Sequence, residues 1–520
     1  MKRKRILLTS MLLLLAFHAC NDEFLEIENP NTITTANFWQ TEEDAHLGVV
    51  ACYSQLLQEG NYRQWHMWMY ELRSDLGWNN SAWGDFSLYT KFIISNYNFE
   101  LNTYVYRDKF RGINRCNQVL ANVPKIEFQD EQLKNRLLAE VKFLRALFYY
   151  DLTILYGHPP LVLKPTTGTE RPGNATREEL WTQIEKDLTE AIPHLPWQYA
   201  ANDPTAKGRV TKGAARSLLG KAYMQQHKWE MAANEFKQVI DQGIYQLVPN
   251  FEDNFRPYSE NNAESIFEIQ FSDISSGDWP DYNTPLSPLG NKWPQYIAPR
   301  QVGGHSDGQP SVSYVHQFTD TTYNGEIDPR KDLSLFHRPG QHMFGVNSIT
   351  YTGFNPLDTV GGGWPRIWYK KYSSGYEGGK TLENYNSPVN FRLIRYADIL
   401  LLYAEALNEL DQTSDAYQYI DMVRQRPNVN IVRLSEEKPN LSIDDMRKQI
   451  EHERIVELGG EGLRWQDLVR YGYLDSQEGI SYLRKRDPEF KTYVFPRSKY
   501  LPIPQRELDI NPNLLQNEGW

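Results

Sequence analysis

A chain of 520 residues with 14 Trp, 32 Tyr and 22 Phe carries enough apolar mass for a large core, and its length suits one or two domains. The formal net charge of −11 becomes −15 once the four basic residues at positions 2–5 are set aside, which argues against nucleic acid and anionic membrane surfaces as partners. Three Cys, without a Cys-x-x-Cys pair or a Cys/His pattern, suggest no metal site.

The chain opens with Lys2-Arg3-Lys4-Arg5, an apolar run from Ile6 to Phe17, then His18-Ala19-Cys20 and an abrupt switch to Asn21-Asp22-Glu23. The run is too short for a stable membrane span. A basic start, a short apolar stretch and a Cys at its end read as a bacterial lipoprotein signal, with residues 1–19 removed and the lipid on Cys20. An ordinary secretory signal is the alternative. Residues 20–36 read as an extended lead-in that lifts the fold off the membrane. No later apolar run reaches the length of a span.

Ala36 to Leu57 is predicted helical, with Thr41 as N-cap and Asp44 three residues on. Residues 60–103 mix Trp65, Trp68, Trp78, Trp83 and Phe86 with Asp75, Asn79 and Asn80, and read as a polar, aromatic-rich loop region. Helical spacing returns at Tyr104–Asn122 and Asp130–Tyr156, where Gly157 and Pro159-Pro160 stop it. Thr176–Leu195 opens on a Thr176/Glu179 capping box. Thr211–Gln226 and Lys228–Gln242 form a helix pair, with Gly220 and Ala233 small enough for close approach, as in tetratricopeptide repeats. Residues 245–390 hold short strand-like pieces, Ser265–Phe271 and Arg366–Tyr372, but no long helix, and a stretch of that kind inside a helical protein is usually a functional surface. Helices resume at Arg395–Glu409, Ser414–Arg424, Ile443–Leu458 and Arg464–Arg470, and residues 500–520 read as irregular wrapping. Cys52 and Cys116 both fall in helical patterns, which leaves open one disulfide or two buried thiols.

Several stretches taken together resemble the SusD/RagB family of outer-membrane nutrient-binding lipoproteins. They are Ala139–Leu147 running to Tyr156-Gly157, Thr211–Ala215, Arg395–Leu401 with Ala404–Asn408, Glu453-Arg454 through Glu461–Leu468, and the terminal Pro502-Ile503-Pro504 with Asn511–Leu514 and Gln516–Gly519. The resemblance implies a mainly α fold: a scaffold of tetratricopeptide-like helix pairs, with a large loop-rich insertion carrying short strands. It implies one such domain over 37–520, the scaffold lying at about 37–244 and 391–499 and the ligand face at about 60–103 and 245–390. It also implies a lipid-anchored place on the outer membrane, a SusC-like TonB-dependent transporter as partner, oligosaccharide cargo, and no cofactor. Arg145, Asp398, Glu405, Glu453, Arg454, Arg464 and Asp467 sit on otherwise apolar helices, so buried ion pairs are expected.

Motifs for catalysis are weak. Ser374–Thr381 nearly spells a phosphate-binding loop but lacks the first Gly; His452-Glu453 has no second His one turn on; no Gly-x-Ser-x-Gly is present. Nothing in the spacing of the 66 acids favours a particular pair for glycoside cleavage. His305, His316, His337 and His342 read as surface or hydrogen-bonded rather than metal-bound. Sugar rings, with apolar C–H faces and hydroxyl rims, need flat aromatic platforms beside short polar side chains and Arg. Two segments supply both: Asp75, Trp78, Asn79, Asn80 and Trp83, and then Trp279, Asp281, Tyr282, Asn283, Trp293, Gln295, Tyr296 and Arg300, with Trp364 and Trp368 as further candidates. The expectation is a glycan-binding protein without catalysis. Binding of peptides or another non-sugar nutrient, a glycoside hydrolase, and a scaffold for the transporter alone are the alternatives.

Overall fold

A computed structural model of the chain describes residues 38–520 apart from 80, 201–202, 204, 273–289, 300–302, 338–341, 344–348, 351–358, 361–363, 366 and 374–384. The leader, Cys20, the lead-in and the near phosphate-loop segment lie outside the described residues, as do the side chains of His342 and Trp364.

Helices begin where side chains can satisfy their first N–H groups. Helix α1 (Glu42–Tyr53) starts at Thr41, whose hydroxyl accepts the Asp44 N–H while the Asp44 carboxylate accepts the Thr41 N–H. The aromatic stretch that follows is not a surface loop. It folds into α2 (Trp65–Tyr70), the short strand β1 (Gly77–Asn79) and α3 (Gly84–Thr90), with α2 buried along its whole length. Apolar side chains dense enough to be taken for a binding surface have instead collapsed into core. Helix α4 (Glu100–Asn122) leads to α5 (Glu131–Tyr156), which Asp130 caps and which ends at Gly157 with φ +74°, a left-handed turn that favours glycine. Thr176 and Glu179 form the capping box of α6 (Arg177–Ala191).

The next pair, α7 (Lys212–Met224) and α8 (Trp229–Asp241), pack face to face. A Cβ on Gly220 would lie 2.4 Å from the Phe236 ring, so the small residue sets how closely the two helices meet.

The middle of the chain is stitched to this frame by antiparallel strand pairs. They draw on β2 (Ser265–Ile269), β3 (Gly308–Pro310), β4 (Leu335–Phe336), β5 (Trp368–Tyr369) and β6 (Phe391–Arg395). β2 pairs with β6, placing Phe391 opposite Ile269, so the long insertion leaves and re-enters at one place. β1 pairs with β3, Trp78 opposite Gln309, and β4 with β5. The short helix α9 (Trp293–Ile297) lies inside the insertion. Helices α10 (Tyr396–Glu409), α11 (Thr413–Arg424), α12 (Ile443–Leu458), α13 (Arg464–Arg470) and α14 (Gln477–Arg486) complete the scaffold. The last of these has no counterpart among the predicted elements. Its apolar positions are few and its last turn is basic, Arg484-Lys485-Arg486, which weakens the periodic signal while suiting the helix dipole. The C-terminal segment is anchored by Asn517, whose amide donates to the carbonyls of Tyr156 and Leu501.

The charges on apolar helices pair as expected. Arg145 binds Asp187 through two nitrogens, Arg454 joins Asp398 to Asp467, Arg470 holds Glu405, Arg464 meets Asp75, and Glu453 meets Arg330. Around Glu457 the network is denser: Arg330, Arg395 and Arg426 all reach it, with Glu264 and Glu461 beside them, every side chain buried. Cys52 and Cys116 are both buried free thiols. No helix among the described residues is long and apolar enough to cross a membrane.

Candidate functional site

Six of the fifteen residues expected at a ligand site are buried. Asp75 is fully buried and accepts from Arg464 and Arg486, which hold its carboxyl well below the usual carboxylate range against the cost of burial. Asn79 is buried with both ends of its amide used: its NH2 donates to the Phe86 carbonyl at 3.1 Å and its oxygen accepts the Ser81 N–H at 2.8 Å. Trp78 and Trp293 are each only 2 % exposed. Trp293 packs edge-on to Trp68 at 5.3 Å, and a Cβ on Gly308 would come within 3.1 Å of its ring. Gln295 is buried and donates to the Gly303 carbonyl, and Trp368 is buried with its indole N–H directed at Ser306 Oγ. None of these presents an open platform. Asn80, Trp279, Asp281, Tyr282, Asn283 and Arg300 lie outside the described residues.

Two of the expected residues remain at the surface, and a continuous run of rings joins them. Trp83 immediately precedes α3 and is 46 % exposed. Its ring meets Phe86 at 5.9 Å; Phe86 meets Trp68 at 4.2 Å; Trp68 meets Tyr296 at 5.3 Å. Tyr296, on α9, is half-buried and contacts His305 at 5.4 Å and Tyr385 at 5.6 Å, while His305 and Tyr385 stack at 5.5 Å. The inner members, Trp65, Trp68, Phe86 and Trp293, are core, and the half-buried or exposed ends face outward.

Local backbone chemistry explains why the outer end is assembled. Asn291 and Ser387 exchange backbone hydrogen bonds of 2.8 and 3.1 Å, laying 385–387 against the start of α9. A Cβ on Gly290 would strike the Asn386 backbone at 2.3 Å, so the two strands approach only because that position is glycine. Tyr385 itself holds φ +61°.

The polar groups around these rings are specific. Gln64 Nε2 donates to the Tyr296 hydroxyl at 3.0 Å, and His305 Nε2 lies 2.5 Å from the Tyr385 hydroxyl. Lys292, at the start of α9, is held by Glu59 and sits 5.9 Å over the Tyr385 ring; burial lowers its pKa and Glu59 opposes that fall. Burial raises the Tyr296 and Tyr385 phenols, so both remain neutral donors and acceptors at physiological pH. The amide oxygens of Gln64 and Gln295 have no partner among the described residues. Ring faces beside neutral amide, phenol and imidazole groups can bind a ligand that offers C–H faces and hydroxyls. Among the described residues no group of three His, Cys, Asp or Glu is placed to hold a metal ion.

Gln64, Lys292 and Tyr385 were not singled out by sequence. Tyr385 stands in Asn384-Tyr385-Asn386, the same aromatic-between-amides composition that marked the other candidates. Gln64 and Lys292 sit beside apolar runs and carried no signal of their own.

A mainly helical frame with short strand pairs and an aromatic face on its insertion defines the class, and comparison with known proteins gives the family. Two family models match: one described as the SusD family over residues 263–520, the other as "Starch-binding associating with outer membrane" over residues 23–224. The chain belongs to the SusD family. It is 28 % identical to SusD-like protein P25 of Formosa agariphila, over 96 % of this chain and 95 % of that one. In fold it is similar to a SusD superfamily protein of Bacteroides vulgatus, with TM-score 0.76, 24 % identity and coverage of 93 % of this chain and 100 % of that one. Surface glycan-binding protein A of Bacteroides fluxus superposes with TM-score 0.75 at 23 % identity, over 92 % and 100 % of the two chains.

Proposed function

We propose that this protein is a cell-surface lipoprotein that binds oligosaccharides without cleaving them and passes them to a SusC-like TonB-dependent transporter. The lipid on Cys20 would tether a single domain, 37–520, to the outer membrane through the lead-in. The observation that carries the binding reading is the ring relay from Trp83 to Tyr385, buried in its middle and open at its ends, with neutral hydrogen-bonding groups around the outer rings. Rings braced by a core lose little entropy when a sugar stacks on them. Membership in the SusD family and the names of similar proteins support a glycan rather than another cargo.

The test is electrophoresis of the soluble domain through native gels containing one polysaccharide each, with starch, laminarin, xylan and mannan as the panel. Retardation by at least one glycan is expected, lost in Tyr385→Ala combined with Trp83→Ala. Free migration of the wild type through every gel would overturn the reading.

A further inference from the structure

A second surface shares no lining residue with the ring relay. Helices α12 and α14 face each other across a groove. α12 contributes Lys448, Glu451, His452 and Ile455, one stripe of its surface at helical spacing, and α14 contributes Glu478 and Tyr482 from the opposite side. The groove opens into a cleft of about 630 Å3 there and a second of about 360 Å3 beside it. The two share Lys448, Glu451, Tyr471 and Tyr473, so they adjoin, and the second is also lined by His227 and Trp229 near α8. Gln317 also lines a further cleft of about 450 Å3, which the nearly buried Trp78 touches.

The floor is a ladder of half-buried phenols. Tyr471 and Tyr473 lie 5.7 Å apart, Tyr473 and Tyr482 5.1 Å. Two of the three hydroxyls are already committed: Tyr473 donates to Glu451 at 2.8 Å and Tyr471 to Glu405 at 3.4 Å. Glu451, nearly buried where the two clefts join, also accepts from Arg464 at 2.8 Å. Helix α14 can cross this close only because Gly479 has no side chain; a Cβ there would lie 2.5 Å from the Tyr473 backbone. Arg470 lies 4.8 Å over the Tyr471 ring and Arg486 5.4 Å over the Tyr482 ring, so a ligand would use the remaining face of each of these rings and the faces of Tyr473.

The cations along the walls are each paired with a carboxylate. Lys448 pairs with Asp445, Arg447 with Glu409 and Asp444, Arg470 with Glu405 and Asp467, and His452 lies 2.8 Å from Asp320. With every cation matched by a carboxylate and Glu478 adding a further negative charge, the groove has no positive field to draw an anion, but its acceptors and donors still suit hydroxyls. We infer that this groove is a second glycan-binding site for a neutral polysaccharide chain, distinct from the ring relay. The inference rests on the glycan-binding reading above. Two sites on one polymer act as linked binding events, so long chains are held more firmly than short ones of the same sugar.

The experiment uses the soluble domain and the same gel panel, with alginate as the anionic control and a casein peptide digest as competitor. Tyr473→Ala with Tyr482→Ala is expected to reduce retardation by the cognate neutral polysaccharide roughly two- to tenfold, the scale of lost ring stacking. Tyr473→Phe with Tyr482→Phe is expected to retain it, because the faces persist. Hydrogen exchange of the wild type supplies a readout independent of any variant's folding: the polymer should protect residues 471–486. Unchanged retardation in the alanine pair, without protection of 471–486, would overturn the second site while leaving the first reading intact. Binding of alginate in place of neutral glycans, or displacement by the peptide digest, would also overturn it. Free migration of the wild type in every gel would sink both.

Discussion

Arg464 grips Asp75 with two prongs, Nε to Oδ1 at 2.7 Å and Nη2 to Oδ2 at 3.1 Å, and both side chains are buried. Arg486, from α14, adds a third contact at 2.5 Å. One carboxylate thus ties the β1 region to α13 and α14, across nearly the whole chain. Asp75→Asn would leave two guanidinium groups under-compensated in the interior. The expected cost is roughly 3–5 kcal/mol, the range for breaking a buried pair by removing one partner. Because the folded carboxyl lies below its unfolded value, its contribution is present above about pH 4 and is lost as the pH falls further. Urea unfolding at pH 7 checks this; a change under about 1 kcal/mol would contradict it.

Glu71 behaves in the opposite sense. It is buried, and accepts N–H groups from Gly460 and Gly462 at 2.8 and 3.1 Å and the Tyr369 hydroxyl at 3.2 Å. Burial outweighs these donors and pushes its carboxyl up to about 7, from about 4.5 in an unfolded chain. Between those values the folded state holds the extra proton. Its stabilising effect is therefore full below pH 4.5 and disappears as pH rises through 7, a swing of roughly 3 kcal/mol. Glu71→Gln cannot titrate, so the stability of wild type minus variant should fall between pH 5 and pH 8. Parallel pH profiles for the two proteins would refute the assignment. Other raised carboxyls, Asp487 and Glu489 among them, stay in both proteins and cancel from the difference.

Gly220 is tested by adding one methyl group. Gly220→Ala places a carbon 2.4 Å from the Phe236 ring, closer than any real contact, so α7 and α8 must separate or the ring must turn. Overpacking of this kind costs roughly 1–3 kcal/mol. Phe236→Leu makes room, so the double variant should be less destabilised than the two single changes added together. Thermal melts of the four proteins measure the coupling, and simple additivity would argue against the contact.

The scaffold was readable because its signals are local. Thr41 with Asp44, Thr176 with Glu179, and Gly157 after Tyr156 each mark a helix end within a few residues. The pairing of charges on apolar helices was readable for a related reason: burial leaves a charge few alternatives to a partner. The partners were harder, since Arg464 meets Asp75 across 389 positions and no local pattern links them. The candidate site was least readable. Trp78, Trp83 and Trp293 have similar neighbours in sequence, yet one is exposed and two are core. The difference arises from the pairing of β1 with β3 and the edge-on packing of Trp293 against Trp68, both contacts between distant segments.

That distinction gives the sharpest test of where the ligand face lies. Trp78→Ala and Trp293→Ala each empty a buried indole site and should cost roughly 3–5 kcal/mol of stability. Trp83 is 46 % exposed, with only one side braced by Phe86 and Phe99. Trp83→Ala should leave the melting temperature within a few degrees of wild type while weakening retardation in the glycan gel. Stability and binding are thus expected to separate cleanly among three tryptophans that sequence alone does not tell apart. The cluster would be core throughout, with no ligand-facing end at Trp83, if Trp83→Ala melted as early as the other two and migrated like wild type under native conditions.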